Sequence, residues 1–281
     1  MEHPDYNSPQ EIKSFLEENG MAMQKKFGQN FLLNEKARNN IIDLLECKKN
    51  ETVWEVGPGL GCMTELLLKK EMNVCAFEID RGFIKFLHEF FKDYEERQKF
   101  KIVEGDVLKT WKKEMENKNI PSKLFGNLPY NIAATFIADT ITNGFCFEKC
   151  VFTVQKEVAK RMCSAIGKAD YSSFTVLCNS VYDVKLGNEL AAGNFWPKPN
   201  VASQTVIMKK KEIPYEIKNK KLFYSLIHTL FSSRRKTIAN NIKSILPPNI
   251  SCETFFAGTG IDSTLRAEAL SIKDFIVLSE K

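Results

Sequence analysis

The chain has 281 residues, enough for one large domain or for one domain with a smaller companion. Apolar residues make up 43% and charged residues 27%, a soluble globular balance, and no stretch approaches the roughly 20 apolar residues that span a bilayer. The net charge of +5 is uneven: Lys198 to the end holds 14 Lys and Arg against 7 Asp and Glu, whereas the residues before it hold 26 against 28. A basic C-terminal part on a near-neutral body suits a polyanionic partner, nucleic acid first, with a solvated lysine-rich surface as the alternative.

Residues 1–22 carry no basic start followed by an apolar run, so they do not read as a secretory signal. They are expected to form a mobile or loosely docked extension. Eight scattered cysteines form no C-x-x-C pair, and there are three histidines. This argues against a structural metal and fits a reducing cytoplasm. LLNEKARNNIIDLL (32–45) then sets Ala37, Ile41, Leu44 and Leu45 on one helical face, with Asn34 as N-cap.

Short apolar runs now alternate with helical patterns. The runs are TVWEV (52–56), VCAFEI (74–79), KIVEGD (101–106), KLFGN (123–127) and CVFTVQ (150–155), and SQTVIMK (203–209) follows at or near an edge. This alternation predicts an α/β fold of βαβ units with a mainly parallel sheet covered on both faces. Patterning lapses around KKKEIPYEIKNKK (209–221), where a domain boundary is expected. Beyond it, Phe223, Leu226, Ile227, Leu230 and Phe231 share a helical face, and a second helix is expected over 234–246, stopped by Pro247-Pro248. The predicted organisation is an extension (1–22), an α/β domain (23–211) and a small all-helical domain (212–281).

In WEVGPGLGCMTELLL (54–68) a strand runs into Gly57, Gly59 and Gly61, and a helix follows. Glycines at such a turn let a backbone approach a ligand, and the helix start offers free N–H groups. A nucleotide-like cofactor fits; a turn without a ligand is the alternative. Glu78, 21 residues after Gly57, can accept from both ribose hydroxyls. Cys62 stands where a dinucleotide fingerprint needs its third glycine, and Glu55 precedes the first glycine by two residues. E-x-G-x-G-x-G resembles the S-adenosylmethionine-dependent methyltransferase pattern instead. Asp106, ending the third strand, can accept from an adenine amine.

FGNLPYNIAA (125–134) ends the fourth strand, at the sheet edge where open α/β folds bind ligands. It carries no group that exchanges a proton near neutral pH. Methyl transfer to an adenine amine needs none: the Asn127 side-chain oxygen and the Leu128 carbonyl can accept its N–H bonds, orient the nitrogen and stabilise its growing charge. Pro129 would stiffen the turn, and Tyr130 offers a ring to a base drawn from its stack. An ordinary proline turn is the alternative. NFWPKPNVASQTV (194–206) carries Phe195 and Trp196 beside two prolines and Lys198, and an aromatic here could stack the other face of that base. Arg234, Arg235 and Lys236 sit at an expected helix start, where cations oppose the macrodipole unless phosphates complete the site.

Together these segments resemble the KsgA family of small-subunit ribosomal RNA adenine dimethyltransferases, from about Lys25 to Ser271. KKFGQNFLLN (25–34), EVGPGLG, EID, GD, NLPYNI, QKEVAKRM (155–162), FWPKPNVAS (195–203), FSSRRKT (231–237) and RAEALS (266–271) follow that family's order. The resemblance implies a Rossmann-like fold with a seven-stranded sheet and a helical RNA-binding domain. It implies S-adenosylmethionine held by Asn30, Leu32, Gly57, Glu78, Asp106 and Asn127, with Gly59 and Gly61 in the same loop. Asn127, Leu128 and Tyr130 would hold the target amine, with Phe195 as second stacking face. The implied substrate is two adjacent adenosines near the 3′ end of small-subunit RNA, within a partly assembled ribosomal subunit, dimethylated by a cytoplasmic monomer. Two alternatives remain: the large-subunit RNA methyltransferase class of macrolide resistance, and a non-catalytic assembly factor on the same scaffold. FSSRRKT and RAEALS favour the first reading.

Overall fold

The computed structural model describes residues 3–24, 27–116, 121–128 and 132–281. In chain order the elements are α1 (Pro9–Glu18), β1 (Phe31–Leu32), α2 (Glu35–Asp43), β2 (Thr52–Val56), α3 (Cys62–Lys69), β3 (Asn73–Glu78), α4 (Arg81–Phe90) and α5 (Lys92–Glu96). They continue with β4 (Phe100–Glu104), α6 (Val107–Met115), β5 (Lys123–Asn127), α7 (Ala133–Thr142), β6 (Lys149–Gln155), α8 (Lys156–Met162), α9 (Ser173–Val181) and β7 (Tyr182–Leu190). The last are β8 (Phe195–Trp196), β9 (Ser203–Lys210), α10 (Lys220–Leu230), α11 (Ile238–Ile242), α12 (Cys252–Phe256) and α13 (Ile272–Ser279).

Seven strands form one sheet in the order β4-β3-β2-β5-β6-β9-β7. The first five are parallel, and β9 joins β6 antiparallel. The chain thus has the Rossmann-like fold with a seven-stranded sheet that the resemblance implies. The strand order reverses between β2 and β5, whose register sets Val56 beside Gly126. Such a switch point opens a crevice at the C-terminal strand ends. Buried aromatics cover both sheet faces: Phe83, Phe86 and Phe91 come from α4 and the residue after it, and Trp54 packs edge-on to Phe77 with centroids 4.7 Å apart.

The chain divides into two compact units. The first comprises Met1–Phe136, Phe147–Ala159 and Lys185–Lys209; the second comprises Ile137–Cys146, Lys160–Val184 and Lys210–Lys281. The second unit therefore takes two segments that a break at 211/212 leaves out. Its hydrogen bonds supply the reason: the Tyr171 hydroxyl donates to the Leu270 carbonyl at 2.8 Å, and the Gly167 N–H donates to the Glu268 carbonyl at 2.8 Å.

Two further expectations change. The segment before residue 22 is not loosely docked: Tyr6, Ile12 and Leu16 are buried in the core that also holds Phe31, Leu60 and Phe83. The Arg234–Lys236 run does not start a helix. It lies in the turn before α11, which begins at Ile238, with the Thr237 side chain accepting from the Asn240 N–H as N-cap. The seventh strand that the resemblance implies is the exposed edge strand β7, which matches none of the apolar runs because its pattern buries little beyond its two ends.

Candidate active site

A cavity of about 290 Å³ opens in the first unit at the switch point, close to the low end of the roughly 300–1,000 Å³ usual for small-molecule sites. The glycine loop after β2 forms its floor. Gly57, Gly59 and Gly61 have φ of 74°, 58° and 80°, a backbone region that strains any residue with a Cβ. At Gly61 a Cβ would also lie 2.7 Å from Phe91 and 2.9 Å from Leu87. The N-cap of α3 behind this loop is Gly61, which has no side chain to occupy the helix start, a position suited to an anion.

Two carboxylates enter this space. Glu55 is buried and accepts from the Thr64 hydroxyl at 2.6 Å. Glu78, also buried, accepts from the backbone N–H of Gly59 at 3.1 Å, of Ile79 at 2.8 Å and of Asp80 at 2.9 Å. Burial pushes Glu55 up to about 8 and Glu78 up to about 7. In Glu78 the backbone donors oppose the rise; in Glu55 the Thr64 hydroxyl does. Asp106 caps α6 through Oδ1, which accepts from the Leu108 N–H at 3.0 Å.

The Asn127 side chain closes the opposite edge. Its amide nitrogen donates to the Asn30 carbonyl at 2.9 Å, and among the described residues no donor reaches Oδ1. Asn30 itself donates through Nδ2 to the Gly28 carbonyl, and the short β1 pairs antiparallel with β8, setting Leu32 opposite Phe195. Two segments more than 160 residues apart thereby build one wall. Leu128 is buried over Gly126, where a Cβ would come within 2.7 Å of its side chain, and its N–H donates to the Thr153 carbonyl at 3.2 Å. Thr153 lines the cavity beside Asn127, and its buried hydroxyl has no partner among the described residues.

The ribosomal RNA adenine dimethylase family model matches residues 20–281. The chain belongs to this family. Among curated dimethylase-family relatives it is 46% identical to the ribosomal RNA small subunit methyltransferase A of Treponema denticola, over 99% of this chain and 95% of that one. It is 42% identical to the protein of the same name from Borreliella burgdorferi, over 98% and 94%. In structure it is similar to a dimethyladenosine transferase from Plasmodium falciparum, with a TM-score of 0.73, 24% identity and coverage of 87% and 94%. The 23S rRNA methyltransferase ErmE shares the fold at a TM-score of 0.61 and 21% identity, over 89% and 98%.

Ribosomal RNA adenine dimethylases use S-adenosylmethionine, and this cavity suits it. A sulfonium and an ammonium favour the ionised form of the two buried carboxyl groups, a helix start suits a carboxylate, and Phe77, Ile79 and Val107 match a flat apolar base. Of the residues expected to bind cofactor, Asn30, Leu32, Gly57, Gly59, Glu78, Asp106 and Asn127 line the cavity, while Gly61 shapes the loop behind it. Phe195 departs from expectation. Its ring is 3% exposed and packs in the core beneath β1, so it presents no open face to a base; its neighbour Trp196 is half-buried and stacks on Phe31. Pro129 and Tyr130 lie outside the described residues, as does Lys25. Lys198 is exposed in the first unit, and Arg234, Arg235 and Lys236 are exposed in the second, where Arg234 pairs with Glu268 at 2.8 Å.

Sequence reasoning missed several of these groups. Glu55 was visible in the glycine pattern, but its place inside the cavity was not. Asp80 holds two glutamines as well as capping α4: its Oδ2 accepts from Gln24 at 3.0 Å and from Gln29 at 2.9 Å. No local pattern marks Thr153, which comes to the site by strand register alone.

Proposed function

We propose that this protein dimethylates the N6 amines of two adjacent adenosines near the 3′ end of small-subunit ribosomal RNA, acting as a cytoplasmic monomer on a partly assembled subunit. The observation that carries the reading is Asn127, its amide nitrogen tied to the Asn30 carbonyl at the cavity's edge, with Oδ1 left over among the described residues. That arrangement suits an acceptor for an exocyclic amine.

S-adenosylmethionine, when bound, supplies an activated methyl on sulfur. In this reading Glu78 accepts from the ribose hydroxyls, Asp106 from the cofactor's adenine amine, and Glu55 gives up its proton when the cofactor's positive charge lies beside it. Asn30, Leu32 and the glycine loop set the backbone wall. Asn127 Oδ1 and the Leu128 carbonyl accept the two N–H bonds of the target amine, aim its lone pair and offset the charge that grows on nitrogen. Tyr130 stacks on the base. The proton leaves to water after the methyl has arrived. Lys198, Arg234, Arg235 and Lys236 contact RNA phosphates. The names of the curated relatives support the small subunit as target.

The test is labelled-methyl transfer to small and large subunits from cells lacking the gene, with the modified base identified. Dimethyladenosine in the small-subunit RNA is the expected product. Label only in large-subunit RNA overturns the choice of substrate, and RNA binding without transfer overturns catalysis.

A further inference from the structure

Residues 3–24 touch the back of three cofactor-cavity walls. The Tyr6 hydroxyl donates to the carbonyl of Leu60, inside the glycine loop, at 2.9 Å, with both residues buried. The Asn7 side-chain oxygen accepts from Arg38 at 3.1 Å. Arg38 in turn donates to the carbonyls of Leu32 and Leu33 at 2.8 Å each, and its guanidinium lies 5.8 Å from the Tyr6 ring centroid. Gln24 donates to Asp80, next to the Glu78 turn, and Met21 fills the space above Gly82. Helix α1 anchors the segment through Ile12 and Leu16 in the core and through Phe15 edge-on to Phe86 at 5.1 Å. His3 stacks on Tyr6 at 4.8 Å.

We infer that residues 3–24 form a strap that positions the cofactor cavity, with Tyr6 and Asn7 as positioning residues acting through the Leu60 carbonyl and through Arg38. The glycine loop is the reason a strap is useful. Three left-handed glycines give it little stiffness of its own, and the Leu60 carbonyl inside it takes its hydrogen bond from a residue 54 positions upstream. The β1 wall is a two-residue strand with little ladder to hold it, and Arg38 supplies two of its carbonyl partners. A strap that pre-sets both walls lowers the ordering cost when cofactor binds. The family match begins at residue 20, so most of the strap precedes it. The inference rests on the cavity being the S-adenosylmethionine site.

The test uses the full chain with Tyr6→Phe, which removes one hydroxyl and keeps the ring, and Asn7→Ala, an exposed position that reads the β1 side. The measurements are calorimetric binding of S-adenosylmethionine, thermal unfolding, and KM and kcat with each substrate. Each variant is expected to weaken S-adenosylmethionine binding and raise its KM by about three- to tenfold, the scale of one buried hydrogen bond. The kcat at saturating cofactor and the KM for RNA should stay at wild-type values. Wild-type cofactor affinity in both variants overturns the strap, even if the melting temperature falls, because it reduces the segment to a structural dock. If the wild-type chain itself binds no S-adenosylmethionine, the cavity reading fails and takes the strap with it. Should Tyr6→Phe fail to fold, Asn7→Ala decides.

Discussion

The turns after β2 and β5 are neighbours at one end of the sheet, yet they are built on different principles. After β2 the shape comes from backbone. Three left-handed glycines, an uncapped helix start and two buried carboxyl groups make a concave, polar surface with few side chains reaching inward. After β5 the shape depends on one side chain, Asn127, to which the proposed reaction gives the target amine, and a carbonyl 97 residues away holds it in place. The first turn is suited to hold a ligand whose shape and charge stay the same. The second is suited to aim one polar atom at a group whose charge changes during reaction. Binding and turnover should therefore come apart on mutation.

The sharpest test of that contrast is Asn127→Ala. We expect kcat to fall by about 100-fold or more, the scale seen when one preorganised polar group is removed from a reacting centre, with cofactor affinity changed little. Single-turnover kinetics with calorimetric binding separates the two, and near-normal turnover would remove Asn127 from the mechanism. Gly61→Ala is the matching change on the backbone side. Its Cβ meets the buried Phe91 and Leu87 at 2.7 and 2.9 Å, so it should cost about 1–3 kcal/mol of stability and weaken cofactor binding. Equilibrium denaturation measures the first effect; a Gly61→Ala protein as stable as wild type would show that the loop tolerates a side chain.

Reversing charge at Arg234 and Arg235 acts on neither turn. RNA affinity should drop and the slope of its salt dependence should flatten by about one unit per lost phosphate contact, with cofactor binding unchanged. Arg234→Glu also sets like charge against Glu268, so Arg235→Glu alone is the cleaner variant. An unchanged salt slope would place the RNA elsewhere.

The last prediction is a pH profile. Glu55 rises from 4.5 to about 8 and Glu78 from 4.5 to about 7, so between these limits the folded chain keeps protons that the unfolded chain has released. Their contribution to folding is present in full below about 4.5 and declines as pH rises through 7 to 8. Unfolding free energy of the cofactor-free chain should fall over that window, and Glu55→Gln should make the fall shallower. A profile in Glu55→Gln as steep as wild type would show that Glu55 does not titrate in this range.

Much of the first unit is legible in the chain because its signals are local. TVWEV and KLFGN coincide with β2 and β5, and Asn34 caps α2 as its position suggests. Asn127 and Glu78 can be nominated from strand ends followed by polar residues. The second unit is less legible. Its helices draw segments from before residue 184 that look in sequence like parts of the α/β domain, and only hydrogen bonds such as Tyr171 to Leu270 reveal their allegiance. Phe195 is another instance: an aromatic beside prolines looks available for stacking, but pairing with β1 turns its ring into the core.

Periodicity, glycine placement and the order of acidic residues along the chain therefore determine the sheet, the ligand-bearing loop and the identity of the polar groups, because each depends on neighbours a few residues away. Only tertiary structure decided which distant segments complete the site. The Asn30 carbonyl orients Asn127, register brings Thr153 beside it, and Tyr6 reaches Leu60 from the extension. Those choices are made when buried polar groups must find partners across the fold, and a partner 54 or 97 residues away leaves no periodic trace in the sequence.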